Sequence, residues 1–314
     1  MTSTQKKYLP YLSVFVASIL WSSSFVALKI AFRNYDPMVV IFGRMLLGFL
    51  FMALFFRPFR NLKFKRSDLK YLAFMGLCEP CLYFIFEAIA LQNTSASQAG
   101  MVTATLPLIV AVAAWYFLKE KLNLKIILGF IVAIGGVSLL SLGSQVTENA
   151  PDPIFGNLME LLAMVTATGY IITMKKLSSS YSALFITSFQ ALVGSVFYFP
   201  LLFLPSTAVP LEFNLPSFMA IVYLGVVVTF GAYGSYNYGV SKIPASQATA
   251  FINLIPVFSL ILGAWILNDI LSGIQYLAII LVFLGIFISQ YRNKETITEK
   301  KPPAPNPPIN VSNQ

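Results

Sequence analysis

Ala96-Ser97-Gln98-Ala99, followed eight residues on by Pro107, returns as Ala245-Ser246-Gln247-Ala248 with Pro256, 149 residues later in the chain. Each copy opens an apolar run of about twenty residues, long enough to cross a bilayer as a helix. The same offset pairs Gly76 with Gly225, Leu118 with Leu267, Glu120 with Asp269, Leu128 with Leu277, Ile131 with Ile280 and Gly136 with Gly285. A register kept without gaps over that distance is an internal repeat. Nearer the start of each half the offset becomes 146, matching Lys29 with Lys175 and Gly48 with Gly194, and setting Gln190 opposite Arg44. A three-residue difference in one loop reconciles the two.

The rest of the chain fits a membrane protein. Hydrophobic residues make up 57% of the 314 and charged residues only 11%, against about a quarter charged in soluble domains. The apolar residues fall into ten blocks, at approximately 9–31, 37–56, 69–91, 95–118, 124–143, 154–175, 183–204, 217–240, 244–267 and 272–291. The expectation is an all-α integral membrane protein of ten transmembrane helices. Residues 1–143 carry the first repeat, 144–153 a polar linker and 154–291 the second repeat. Residues 292–314 are expected to form a disordered, proline-rich cytoplasmic tail. Met1 to Lys7 is polar and basic and runs into the first block without a small-residue cleavage site, so that block reads as a retained helix.

Charge sets the orientation. With the N-terminus in the cytoplasm, the loops place every Lys and Arg on the inner side except Arg33, outside, and Lys29 and Arg44, within spans. This follows the positive-inside rule, puts both termini in the cytoplasm and suggests a bacterial-type plasma (inner) membrane. The net charge of +9 is thereby used by the lipid surface, with no call for a nucleic-acid partner. Five helices per half is an odd number, so the second repeat inserts upside down relative to the first. Inverted repeats let one central site open to either side in turn. A chain that holds both repeats is complete as a monomer; its oligomeric state is left open.

These features resemble the drug/metabolite transporter superfamily, in particular its EamA-like ten-helix members. The match rests on Leu20-Trp21-Ser22-Ser23-Ser24-Phe25 with Lys29, on Arg44, on the run into Leu106-Pro107, and on Leu118-Lys119-Glu120-Lys121-Leu122. The second half supplies Ala245 to Pro256, Leu267-Asn268-Asp269 and Gly285. It spans about Tyr8 to Tyr291, and departs from the family where Asp269 replaces the usual Glu. The resemblance implies export, less often import, of small metabolites such as amino acids.

Five ionisable groups lie within spans: Lys29, Arg44, Glu79, Glu87 and Glu160. A charge at the bilayer centre costs at least ~2.5 kcal/mol, so each needs a partner or a wet cavity. Counting 1.5 Å per residue from the outer ends puts Arg44 about 10 Å deep, Glu87 about 6 Å and Glu160 about 9 Å. Either acid can therefore pair with Arg44. Lys29, near the outer end of its helix, can snorkel. Glu79 is about 18 Å deep, without a cation at its level. Glu79, Tyr83 and Glu87 share one helix side. Burial disfavours a charged carboxyl, so Glu79 reads as a proton-coupling site, a ligand for a substrate amine, or a protonated structural acid.

Trp21, Gln98, Tyr170, Tyr236, Asn237 and Asn253 complete the expected substrate pocket with Glu79, Tyr83 and Glu87. Helix 8 also carries Tyr233 and Tyr238, and aromatic residues of this kind either line a pocket or anchor helices at membrane interfaces. Pro107 and Pro256, each lacking an amide donor, with Gln98 and Gln247 at opposite helix mouths, mark helices 4 and 9 as bending or gating elements; close packing alone would also use such small-residue stretches. Without histidine, and with two cysteines in one span, no metal or cofactor site is expected. Cys78-Glu79-Pro80-Cys81 has thiol-redox spacing. A membrane thiol oxidoreductase is the rival enzyme reading, although no further cysteine would relay electrons. The other rivals are a passive channel and a lipid-translocating protein.

Overall fold

A computed structural model describes residues 3–56, 65–118, 124–208, 210, 212–243, 248 and 251–290. Gln247 and the tail at 292–314 lie outside the described residues. The described chain forms ten helices: α1 (Ser3–Phe32), α2 (Pro37–Phe56), α3 (Arg66–Asn93), α4 (residues 96–118), α5 (Leu124–Leu142), α6 (Pro153–Leu177), α7 (Ala183–Leu201), α8 (Leu215–Lys242), α9 (Ile255–Leu267) and α10 (Gly273–Gln290). α1 to α8 are long and apolar enough to cross a membrane, and α9 and α10 are shorter apolar helices. Their starts are chemically marked. Ser95, Asp152, Ser182 and Asn214 each accept a hydrogen bond from the backbone N–H three residues on, which satisfies one amide that the helix leaves free. α9 ends at Asn268 in the left-handed region, φ 57°, where asparagine stops a helix at little strain.

The helices pack as two copies of one arrangement. α5 lies along α10, α2 along α7 and α4 across α9, while the contact of α3 with α6 recurs as α8 with α1. Glycines show the symmetry at atomic scale. A Cβ on Gly136 would meet Ala278 and Val282, and one on its repeat mate Gly285 would meet Gly129 and Ala133. Those partners are themselves 149 residues apart. Likewise Gly225 touches Leu47, and Gly76 touches Val193, 146 residues further on. Between transmembrane helices, where lipid competes as well as any apolar side chain, such close backbone approach supplies much of the attraction. With five helices each, the two repeats are inverted.

Three helices lose regularity near their middle, and a turn precedes a fourth. In α3 the stretch Leu77–Leu82 widens to a π-helix, and Glu79 adopts extended backbone (φ −150°, ψ 118°), as the following proline favours. α8 widens in the same register over Tyr223–Ala232. In α4 a 3-10 turn at Thr103–Thr105 precedes Pro107, which removes the amide that would bond Thr103. Before α9 the chain turns at 253–254, with Pro256 in the helix's first turn. Ser18 and Ser22 of α1 donate to the carbonyls of Phe251 (2.9 Å) and Ile255 (3.3 Å) there. Wide turns of this kind recur at functional sites.

The glycine crossing yields a test. A Cβ on Gly285 would stand 2.5 Å from the Gly129 carbonyl oxygen, whereas one on Gly135 meets nothing within 4 Å. Gly285→Ala should therefore destabilise the protein by roughly 1–3 kcal/mol, the usual range for overpacking, and lower the melting temperature in detergent. Gly135→Ala should not. Equal melting temperatures for the two variants would refute the crossing.

Candidate functional site

The wide turn of α3, the turn of α8 just after its widened stretch, the 3-10 turn of α4 and the start of α9 surround one central cavity. It holds about 540 Å³ of empty space, walled by α1, α2, α3, α4, α6, α8 and α9. Aromatic rings form much of the wall. Trp21 meets Tyr233 edge-on at 5.2 Å between centroids and Tyr236 at 4.8 Å, and Tyr170 stands 6.5 Å from Tyr233. Offset and edge-on geometries of this kind are the favoured ones for aromatic pairs. Phe25, Phe84 and Tyr83 add to the lining, with Ser24 and Thr103 as small polar members.

Three charged side chains share this wall. Arg44 of α2, 1% exposed, places Nη1 3.9 Å from Glu87 Oε2, lays its guanidinium 4.3 Å over the Phe84 ring and points Nε at Thr229 Oγ1, 3.5 Å away. Tyr83 donates to Glu87 Oε1 at 2.9 Å, and Tyr233 donates to Glu79. Carboxylate, guanidinium face and phenol thus hold one another, as charges inside a membrane require. The holding is incomplete. Arg44 Nη1, the Trp21 indole N–H and the Tyr236 hydroxyl are buried donors without a hydrogen-bond partner. Buried polar groups normally have one, so this cavity presents free donors on its surface. A second, smaller hollow of about 220 Å³ lies behind, with Glu79, Phe84 and Tyr233 in both walls.

Of the nine residues expected to bind substrate, the structure brings Trp21, Glu79, Tyr83, Glu87, Tyr170 and Tyr236 to the cavity. Gln98, Asn237 and Asn253 do not line it. Asn237 lies one layer back, accepting from Tyr170 at 2.6 Å and donating to Thr187 at 2.8 Å, so it orients a wall residue. Gln98 sits at one end of the bundle, its carbonyl oxygen taking hydrogen bonds from Ser144 (2.6 Å) and Asn157 (3.1 Å). Asn253, at the turn before α9, has both side-chain polar atoms buried without partners. Glu160 stands apart from the Arg44 pair: it is fully buried, with neither oxygen bonded. Equal depth put it level with Arg44, but depth does not fix which way a side chain faces around the helix. Lys29 donates to the Asn149 carbonyl at 2.5 Å, near the end of its helix.

Phe84, absent from the expected pocket, and Tyr233, noted on helix 8 but not counted among the nine, were within reach of the repeat. They are 149 residues apart, as are Glu87 and Tyr236, and all four line the cavity. The Gln98 end is closed by a second feature: the Asp269 carboxylate accepts from Ser97 N (3.1 Å) and Oγ (2.8 Å) at the start of α4, a favourable place for a negative charge. Cys78 and Cys81 are buried free thiols.

Comparison with known proteins agrees with this architecture. The chain matches the EamA-like transporter family twice, over residues 9–142 and 154–291. An uncharacterized transporter of Archaeoglobus fulgidus is 28% identical over 268 residues, covering 85% of this chain and 94% of that one. The uncharacterized transporter YetK of Bacillus subtilis is 27% identical over 218 residues, 68% of this chain and 66% of the other. A solved crystal structure with 19% identity covers 89% of the chain at a TM-score of 0.64, a likeness of fold. With the family matched in both halves and the transporter-named relatives spanning most of the chain, the protein is a multi-pass membrane transporter and belongs to the EamA-like transporter family.

Proposed function

We propose that the protein is a secondary transporter that carries small zwitterionic metabolites, amino acids first, outward across a plasma membrane by alternating access. The observation that carries this reading is the meeting of Arg44, Glu79 and Glu87 on the wall of one aromatic cavity between the repeats. The free donors of Arg44, Trp21 and Tyr236 suit a substrate carboxylate. Glu79 and Glu87, each already accepting one phenol hydroxyl, suit a substrate amine. The rings suit an apolar side chain, and a mostly apolar wall with a few convergent polar groups is the usual make-up of a small-molecule site.

Two features favour a gated carrier over a passive pore or a lipid path. The bundle end at Gln98 is tied shut by hydrogen bonds, and the helices that border the cavity break at α4 and before α9. On this reading Pro107 and Pro256 mark the bends, and Glu79 exchanges a proton with the medium as substrate leaves. Both termini lie in the cytoplasm. A redox role for Cys78 and Cys81 has little support, because both thiols are buried and the chain has no other cysteine.

Liposomes reconstituted with the protein should accumulate radiolabelled phenylalanine faster under a pH gradient, and Glu79→Gln should remove the effect of the gradient. Gradient-stimulated uptake by Glu79→Gln equal to wild type would eliminate Glu79 as the proton carrier. Arg44→Gln should weaken competition by phenylalanine at least about tenfold, the loss of ~1.4 kcal/mol or more expected for a charge-assisted hydrogen bond. It should leave competition by phenylalaninol, which lacks the carboxylate, nearly unchanged; equal losses for both would contradict the assignment. In cells, an impermeant maleimide should label a cysteine at Glu148 and spare one at Ser179. The reverse pattern would invert the topology.

A further inference from the structure

Among the described residues, Glu160 is the one buried carboxyl that the cavity does not use. It lies on α6, 0% exposed, with both oxygens free of any hydrogen-bond partner. Its position is specific. One turn earlier on the same helix face, Asn157 accepts from Thr94 (2.8 Å) and donates to Gln98 and Ser141 (2.9 Å), so Glu160 lies just beneath the hydrogen-bonded closure of the bundle. From α3, Glu87 and Tyr83 lie within its electrostatic reach, and Tyr83 already bonds Glu87. Glu160 therefore stands between the closed bundle end and the Arg44–Glu87 pair.

The other elements packed on α6 bring nothing that would neutralise it. Along the described part of α4, Tyr116 is the titratable residue, and it lies eighteen residues beyond Gln98, about 27 Å along the helix. On α5, Lys125 is sixteen residues from Ser141, about 24 Å away. α8 presents Tyr233 and Tyr236, and the nearest acid on the approach to α6 is its own cap, Asp152, eight residues before Glu160. An ionised carboxylate with no protein partner is costly at such a site, so in this closed arrangement Glu160 is the neutral acid.

We infer that Glu160 is a proton-relay residue, neutral while the Gln98 end is closed, discharged into the Arg44–Glu87 pair as that end parts, and then reloaded from the water it admits. In the transfer the proton leaves the Glu160 carboxyl for the Tyr83 hydroxyl, which the parting of the bundle end must first bring within hydrogen-bond reach, while the Tyr83 proton moves to the Glu87 carboxylate that it already faces. Glu160 is left negative and Glu87 neutral. Arg44 then lacks its counter-charge and its guanidinium is free for a substrate carboxylate. The negative Glu160 is tolerated only once the network above it parts and admits water, where it takes up a new proton. Proton delivery thus ties the state of the Gln98 closure to the availability of Arg44. This relay rests on the transport reading above.

The test has a part that needs no substrate. Infrared spectra of the reconstituted protein at neutral pH should contain a protonated-carboxyl stretching band that Glu160→Gln removes and Glu79→Gln leaves. With phenylalanine as the probe, Glu160→Gln should lose the stimulation of uptake by a pH gradient, and Glu160→Asp should restore it. Monodisperse elution in detergent screens out misfolded variants. A spectrum unchanged by Glu160→Gln would overturn the inference. So would loss of the band with gradient stimulation intact, since a purely structural acid behaves that way. If the wild type transports no phenylalanine at all, the substrate assignment fails while the infrared result still decides whether Glu160 holds the proton.

Discussion

A guanidinium enclosed within a membrane bundle is the constraint on which the rest of this structure turns. Placing an arginine at the centre of a bilayer costs about 2.5–3.5 kcal/mol even on permissive insertion scales. Arg44 is 1% exposed and cannot snorkel. It is met by Glu87 and the Phe84 ring from α3 and by Thr229 from α8. That single side chain therefore joins α2 of the first repeat to both wide-turned helices, one from each repeat. The neighbouring acid Glu79 is held by Tyr233 across the same divide. Charge burial and repeat pairing are one arrangement seen from two sides.

The pairing also explains why the irregular backbone sits where it does. A membrane offers no water to satisfy loose amides and carbonyls, so non-helical backbone is tolerated only inside protein or against a wet cavity. The breaks at Glu79, at Thr103–Thr105 and at 253–254, and the wide turns of α8, all border or adjoin the central hollow. Serines 18 and 22 supply hydrogen bonds to carbonyls at the break before α9. By contrast α5 and α10, remote from the cavity, are regular and packed through Gly136 and Gly285.

Much of this was legible in the sequence, for identifiable reasons. Bilayer length and spacing gave ten helices, because lipid imposes both. The 149-residue register carried the symmetry through to atomic contacts such as Gly136 with Val282 and Gly285 with Ala133. The pair Arg44–Glu87 followed from depth and charge. Depth alone did not decide between Glu87 and Glu160, since height along a helix says nothing of the azimuth, and it is Glu87 that stands 3.9 Å from Arg44. Gln98, Asn237 and Asn253 had the chemistry of pocket residues, yet polar side chains near a helix mouth or behind an aromatic wall find protein partners as readily as ligands. Tyr233 was one of several helix-8 aromatics that could equally anchor a membrane interface, and its repeat mate Phe84, which stacks on Arg44, was overlooked; applying the repeat to whole walls, and not to motifs, would have found both. The widening of α3 and α8 had no sequence signal beyond Pro80.

In the proposed transport cycle one cavity, enclosed by antiparallel repeats, faces each side of the membrane in turn. The most direct measurement uses Thr103, which lines the cavity at the break in α4. A cysteine there, with Cys78 and Cys81 replaced by serine, can be exposed to an impermeant thiol reagent from either face of oriented vesicles. The account predicts labelling from both faces, with substrate added on one side shifting the balance between them. Labelling from the same single face under every condition would contradict it.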